Sequence, residues 1–338
     1  MNREDIKRIA TFVSLLLLLS GCAVNTPQTK SQPLSLGKLT TAYDYQLLNQ
    51  QYQAISLPQM VAAASTADVL FIGEYHGNQA SHLLQTQLLA ALHQRNQQKN
   101  RATILSMEQF ERNQQAILDG YLNKKIGERY LIEKAPTWSN YKGSYRPLVE
   151  YAKQNKLPVV AANAPAKIIR CIGRQGESYI TKLTPEEKQT IASKPFTDVP
   201  AYADKFFGVM GISGHAKAGA GMRRSYQAQL ARDNTMAESI DKSLKQTPNA
   251  QVIHLNGSFH SAGHLGTVGA LIRMNPSLKV VVITPVHQDQ LDEFKKENKS
   301  TKDYYYLLNR QPKTYVNSEN RKAAHKAMFA ASANKSCK

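Results

Sequence analysis

The sequence predicts an α/β fold: a mostly parallel sheet flanked by helices, with an inserted smaller helical subdomain. Three observations point there. Short runs rich in Val and Ile, without polar alternation, recur along the chain, as expected of strands covered on both faces. Segments with helical periodicity separate them, in the order that makes βαβ units. A polar stretch from 167 to 245, interrupted by proline and glycine, breaks that alternation.

The chain of 338 residues opens with a basic stretch containing Arg3, Lys7 and Arg8, followed by an apolar run from Ile9 to Leu19. The run is too short to cross a bilayer, which needs roughly 20 residues. With Ser20 and Gly21 behind it, it has the parts of a secretory signal spanning 1–21. Leu19-Ser20-Gly21-Cys22 resembles the bacterial lipobox. That resemblance implies cleavage before Cys22, lipidation of the cysteine and anchoring to a membrane, firmly if several acyl chains are attached. Ala23, in place of Asp, matches the sorting pattern for the outer membrane. The expected location is therefore the outer membrane, with the folded part facing the periplasm. Residues 22–45 are rich in Gln, Ser, Thr and Pro and read as a lipidated tether, so folded structure is expected from near Leu47.

Five apolar segments are expected as buried strands: Val69–Ile72, Thr103–Met107, Leu157–Ala161, Gln251–Leu255 and Leu278–Ile283. Between the first two, Ser81–Gln97 places Leu84, Leu88 and Leu92 beside Leu83 and Leu89, the spacing of an amphipathic helix. Helical patterns also cover Gln109–Leu118, Tyr145–Asn155 and Ser225–Leu244. An α/β domain is thus expected over 46–166 and 246–338. Residues 167–245, broken by Pro195, Pro200 and the glycines from Gly208 to Gly221, would form a helical insert or lid. Beyond Pro285 the aromatic tail with Tyr304, Tyr305 and Tyr306 should add one more strand or helix before a loose end at Ala330–Lys338.

Formal net charge is +18, and removing 1–21 lowers it by one. Such a charge favours anionic partners. In the expected compartment these would be lipid headgroups or a small carboxylate-bearing ligand, not nucleic acid; a plain solvated basic surface is the alternative. Once Cys22 is lipidated, Cys171 and Cys337 remain. The periplasm permits a disulfide between them, and their spacing is not that of a metal site.

Ligands of parallel sheets bind beyond the C-terminal strand ends, and polar residues gather there in the sequence. The first strand runs into Gly73-Glu74-Tyr75-His76-Gly77-Asn78, with His82 soon after. The second ends at Glu108, the third at Asn163, and the fourth runs into Asn256-Gly257-Ser258-Phe259-His260, with His264 four residues on. Glu74, His76, His82, Glu108, His260 and His264 are therefore candidates for one rim. If helical, His260 and His264 would stack. A histidine oriented by a carboxylate serves as a base near neutral pH, and several imidazoles with a carboxylate hold a divalent metal. Both readings stay open, beside structural roles for His82, Glu108 and His264.

These residues, with Gln229, Arg232-Asp233-Asn234-Thr235-Met236-Ala237 and the lipobox, resemble the ChaN-like haem-binding lipoproteins, within the superfamily of erythromycin-esterase-like and Tiki-like proteins. The resemblance implies an α/β domain with a smaller helical domain and a dimer enclosing two stacked haems. It also implies a tyrosine on each iron, a histidine and a lysine on the propionates, and a haem-uptake receptor or transporter as partner. The insert offers Tyr202, His215, Lys217, Arg223, Arg224 and Tyr226 as haem-binding candidates; phenolate suits ferric iron, and cations suit propionates. Superfamily hydrolases imply the alternative of a periplasmic esterase or metal-dependent hydrolase using Glu74, His76, Glu108 and His260. A non-catalytic envelope scaffold is a third possibility.

Overall fold

The computed structural model describes residues 34–136, 138–212, 218–298, 302–333 and 335–337. The signal, Cys22 and much of the tether lie outside them, as do His215 and Lys217. Eight strands form one sheet: β1 (Tyr45–Leu48), β2 (Ala54–Ile55), β3 (Val69–Glu74), β4 (Thr103–Glu111), β5 (Val159–Asn163), β6 (Gln251–Gly257), β7 (Val280–His287) and β8 (Tyr304–Leu308). The helices are α1 (Leu57–Ala64), α2 (Gln79–Gln98), α3 (Gln115–Leu122), α4 (Glu128–Lys134), α5 (Tyr141–Ser144), α6 (Arg146–Gln154) and α7 (Ala166–Gln175). They continue with α8 (Pro185–Gln189), α9 (Pro200–Val209), α10 (Ala220–Gln246), α11 (Thr267–Met274), α12 (Leu291–Glu297) and α13 (Ser318–Ala333).

Strand order is β2-β1-β8-β7-β3-β6-β4-β5. The six strands from β8 to β5 run parallel, while β1 pairs antiparallel with β8 and with β2. The α/β reading of the sequence therefore holds. Alternation along β3 shows why its run is apolar throughout. Leu70 and Ile72 pack with Leu84, Leu88, Leu92 and Leu148 on one face, and Val69 and Phe71 with Ala237, Ile240, Val268 and Leu271 on the other. Successive side chains of a strand point to opposite faces, so a strand covered twice has no polar face to show.

Several boundaries differ from the sequence reading, for local reasons. The sequence pattern predicts a helix from Gln109, but β4 runs on through it to Glu111 before a 3-10 turn at Arg112–Gln114. Leu157 closes α6 by donating its N–H to Ala152, so β5 starts at Val159. Leu278 likewise closes a turn on Asn275, and β7 starts at Val280. The tail supplies a strand, β8. Folded structure also starts before Leu47: Leu34 bridges Ala54, and Leu39 is buried.

Between β5 and β6 the chain is helical, and its last helix serves two layers. The first half of α10 packs Tyr226 and Leu230 against Tyr202, Phe206 and Phe207 of α9. Its second half lays Ala237 and Ile240 on the sheet. Cys171 of α7 forms a disulfide with Cys337, which draws the end of the chain back to the middle. No helix among the described residues is long and apolar enough to cross a membrane.

Candidate functional site

The strand order decides the site. Because β6 lies between β3 and β4, their C-terminal ends bring Glu74 and Glu108 to either side of Gly257. Glu74 is buried and accepts four side-chain donors. His76 Nδ1 lies 2.7 Å from its Oε1, Tyr145 OH 2.5 Å, Gln109 Nε2 3.4 Å, and Gln85 Nε2 is 2.6 Å from Oε2. Burial alone would raise the Glu74 carboxyl. The His76 hydrogen bond, the nearby charges of His82 and His76, and the Tyr145 hydroxyl outweigh it and hold the carboxyl below its usual range.

A second carboxylate–imidazole pair stands opposite. Asp233, from the middle of α10, places Oδ1 2.7 Å from His260 Nδ1 and accepts Thr267 Oγ1 at 2.7 Å; Tyr202 OH donates to its Oδ2 at 2.7 Å. His260 Nε2 lies 3.5 Å from Glu108 Oε1, and Glu108 Oε2 accepts the Gly257 N–H at 2.7 Å. Burial pushes both His76 and His260 down, but the hydrogen bond and charge of Glu74 raise the first. The charge of Asp233, then that of Glu108, raises the second. Both end above an ordinary histidine. Each imidazole is thus backed at Nδ1 by a carboxylate.

Two glycines make this geometry possible. A Cβ on Gly257 would come within 2.7 Å of His76 Nε2, so the imidazole lies directly against that backbone. Gly266 has φ +57°, and a Cβ there would meet the His260 carbonyl oxygen at 2.6 Å. A side chain there would combine left-handed strain with a backbone clash. Lys205 of α9 braces the same loop, donating to the carbonyls of Phe259 and Ala262 at 2.9 and 3.0 Å. Burial pulls its ammonium down to about 8 against the charges of Asp233 and Asp303.

The remaining candidates fall in different places. His82 Nδ1 is 3.0 Å from Gln85 Oε1 and Nε2 accepts the Gly77 N–H at 3.2 Å, so it braces the Glu74 loop from behind. His264 does not stack on His260. Gly263, at φ 73°, breaks the turn, and His264 points to Asp303, with Nε2 3.4 Å from Oδ1. Tyr202 is 1% exposed, its hydroxyl held by Asp233 and by Gln229 at 2.9 Å. Tyr226 is buried with its hydroxyl on Asp198. Arg223 is exposed and Arg224 half-buried at the start of α10.

Tyr145, Gln85 and Asp233 were not among the sequence candidates. Gln85 stands one turn after His82, a weak signal. Asp233-Asn234-Thr235 is a polar run in a helix that proves buried there, which is a stronger one. Tyr145 carries none.

The divalent-metal alternative finds no support in the side chains: among the described residues no three His, Cys, Asp or Glu are grouped to hold an ion. Glu74 Oε1 and Asp233 Oδ1, which face the imidazoles, already accept protein donors. A cleft of about 750 Å³ lies along the outer edge of β5, lined in part by Gln115, Lys153, Lys156 and Lys242, and none of the rim residues enters it.

Fold and site together define an α/β protein carrying two carboxylate-backed imidazoles at the C-terminal edge of its sheet. The chain belongs to the haem-binding uptake family of the Tiki superfamily, ChaN, whose profile matches residues 60–271. Among solved structures it is similar to ChaN of Campylobacter jejuni, described as binding haem cofacially. Identity there is 18%, over 79% of this chain and 98% of that one, with a TM-score of 0.59; the likeness is one of fold. An erythromycin esterase in its open conformation is more distant, at 11% identity, 83% and 87% coverage and a TM-score of 0.43. No curated protein sequence matches the chain.

Proposed function

We propose that this protein binds haem and takes part in haem or iron acquisition. It would be held by lipid on Cys22 at the periplasmic face of the outer membrane and work as a homodimer around stacked haems, with an uptake receptor or transporter as partner. The observation that carries the reading is the family match over residues 60–271.

The side chains fit haem in part. Val209 and Met210, 68% and 51% exposed at the end of α9, offer apolar surface to a porphyrin, and exposed Arg223 suits a propionate. The tyrosines are not presented. Iron at Tyr202 would have to displace Asp233 and Gln229, and iron at Tyr226 would have to displace Asp198. Ligation by either therefore requires that its hydroxyl first leave these partners. His215 and Lys217 remain propionate candidates on family grounds. Titration with ferric haem, read by absorption and by size in solution, tests the reading. Saturation near one haem per subunit with dimer formation is expected, and no saturable binding overturns it. Unchanged haem spectra in both Tyr202→Phe and Tyr226→Phe would remove those ligands while leaving the function.

A second reading, a periplasmic esterase, is favoured by the paired imidazoles. His76, held at Nδ1 by Glu74, would be the base. Its elevated pKa means activity should rise with pH through a value above 6.5. Loss of ester hydrolysis in His76→Ala is expected, and activity indifferent to that change would sink it.

A further inference from the structure

We propose that Arg232 forms an anion-binding subsite beside the His76–Glu108–His260 rim, docking a carboxylate carried by the bound ligand. The placement comes from α10. Gln229 and Asp233 lie four residues apart and share a helix face, which Arg232, three residues after Gln229, flanks. Gln229 Nε2 is 3.3 Å from His260 Nδ1 and Asp233 Oδ1 is 2.7 Å from it, so that face looks at His260. Arg232 is close enough for its charge to pull down both His260 and Glu111, the last residue of β4. Arg112, which follows Glu111, donates to the Thr235 carbonyl and to the Glu238 carboxylate, and these contacts set this part of α10 over the end of the strand that carries Glu108.

Its guanidinium is idle. Arg101, Arg112 and Arg146 each meet a carboxylate within 3.3 Å, whereas Arg232 is half-buried with no hydrogen bond or ion pair among the described residues. Glu111 does not take it: Oε1 accepts the Ala166 N–H at 3.0 Å instead. Five donors in a rigid fork, partly withdrawn from water, match a carboxylate in shape and charge. The subsite goes beyond the haem reading, because any carboxylate-bearing ligand could use it. A haem propionate is one source of that group and a small non-haem acid or ester is the other.

The test uses the full chain in detergent, with histidine rings labelled for NMR and succinate as probe at constant ionic strength. A saturable shift of the His260 ring is expected. Arg232→Gln should weaken it about 10- to 100-fold, the factor for one charge-assisted contact, and Arg232→Lys should lie between. Matching His260 spectra without succinate would establish that the variants fold alike. No shift in the native protein, or an undiminished one in Arg232→Gln, overturns the subsite whatever haem does. Ferric haem and its dimethyl ester then separate the sources. If Arg232→Gln weakens haem but not the diester, a propionate occupies the subsite. If haem binds both proteins alike while succinate discriminates, the carboxylate is not haem's. If haem fails to bind at all while succinate discriminates, the haem reading falls and the subsite stands.

Discussion

Replacing Gly257 with alanine is expected to unseat His76 while leaving the fold intact. Gly257 has φ −55° and ψ 134°, a conformation open to any L-residue, so backbone strain does not enter. The added Cβ would fall 2.7 Å from His76 Nε2 and 2.9 Å from Cε1, well inside contact distance. The His76 side chain is 42% exposed, so the ring swings outward more readily than the sheet moves. That motion breaks the 2.7 Å contact with Glu74. A hydrogen bond to a charged group contributes about 1.5–3 kcal/mol, and solvent screening of a half-exposed ring brings this nearer to about 1 kcal/mol. Alanine for glycine restores about 0.4–1 kcal/mol through the unfolded chain. Net stability should therefore change by no more than about 1 kcal/mol, while the His76 pKa falls as its partner is lost. Urea denaturation and NMR titration of the His76 ring measure the two. An unchanged His76 pKa would refute the reasoning, as would a loss above about 3 kcal/mol, which would mean that the backbone had moved.

Tyr145→Phe removes the donor 2.5 Å from the buried Glu74 carboxylate and should cost about 1–3 kcal/mol in urea denaturation. Glu74 sits below its ordinary 4.5 in the fold, so its contribution is present above that pH and lost as pH falls through the folded value. In Tyr145→Phe the acid limb should start at higher pH, and an unmoved limb would count against the assignment. For His260, raised above 6.5, the sign is opposite. The stability difference between native protein and His260→Asn should be largest below pH 6.5 and shrink as pH rises through the folded value; a difference flat with pH would contradict it. The Cys171–Cys337 disulfide spans 166 positions, and a loop of that length is worth up to about 5 kcal/mol. Cys337→Ser should lower the melting temperature, and an unchanged one would mean that the exposed tail adds nothing. His264→Ala should leave the His76 and His260 titrations unmoved, because His264 faces Asp303.

Much of the rim was legible because parallel sheets put their polar residues at strand ends. Glu74 and Glu108 come at the ends of apolar runs, His76 and His260 follow a few residues on, and the strand ends bring the four together. His264 would stack on His260 only in a continuous helix, and Gly263, whose left-handed φ turns the chain, prevents that. Nothing in the sequence pointed to Tyr145, which reaches Glu74 across 71 positions. Asp233 stood in a family-like motif, but its pairing with His260 needs α10 to cross above β6.

The sequence by itself determined the layers: doubly apolar strands and intervening amphipathic helices can bury their surfaces in few ways other than a covered parallel sheet. The tertiary structure alone decided which carboxylate backs which imidazole. Insertion of β6 between β3 and β4 sets Gly257 between Glu74 and Glu108, and α10 delivers Asp233 to His260 from outside the sheet. Strand order and helix crossing depend on contacts between segments distant in the chain, and local periodicity carries no record of them.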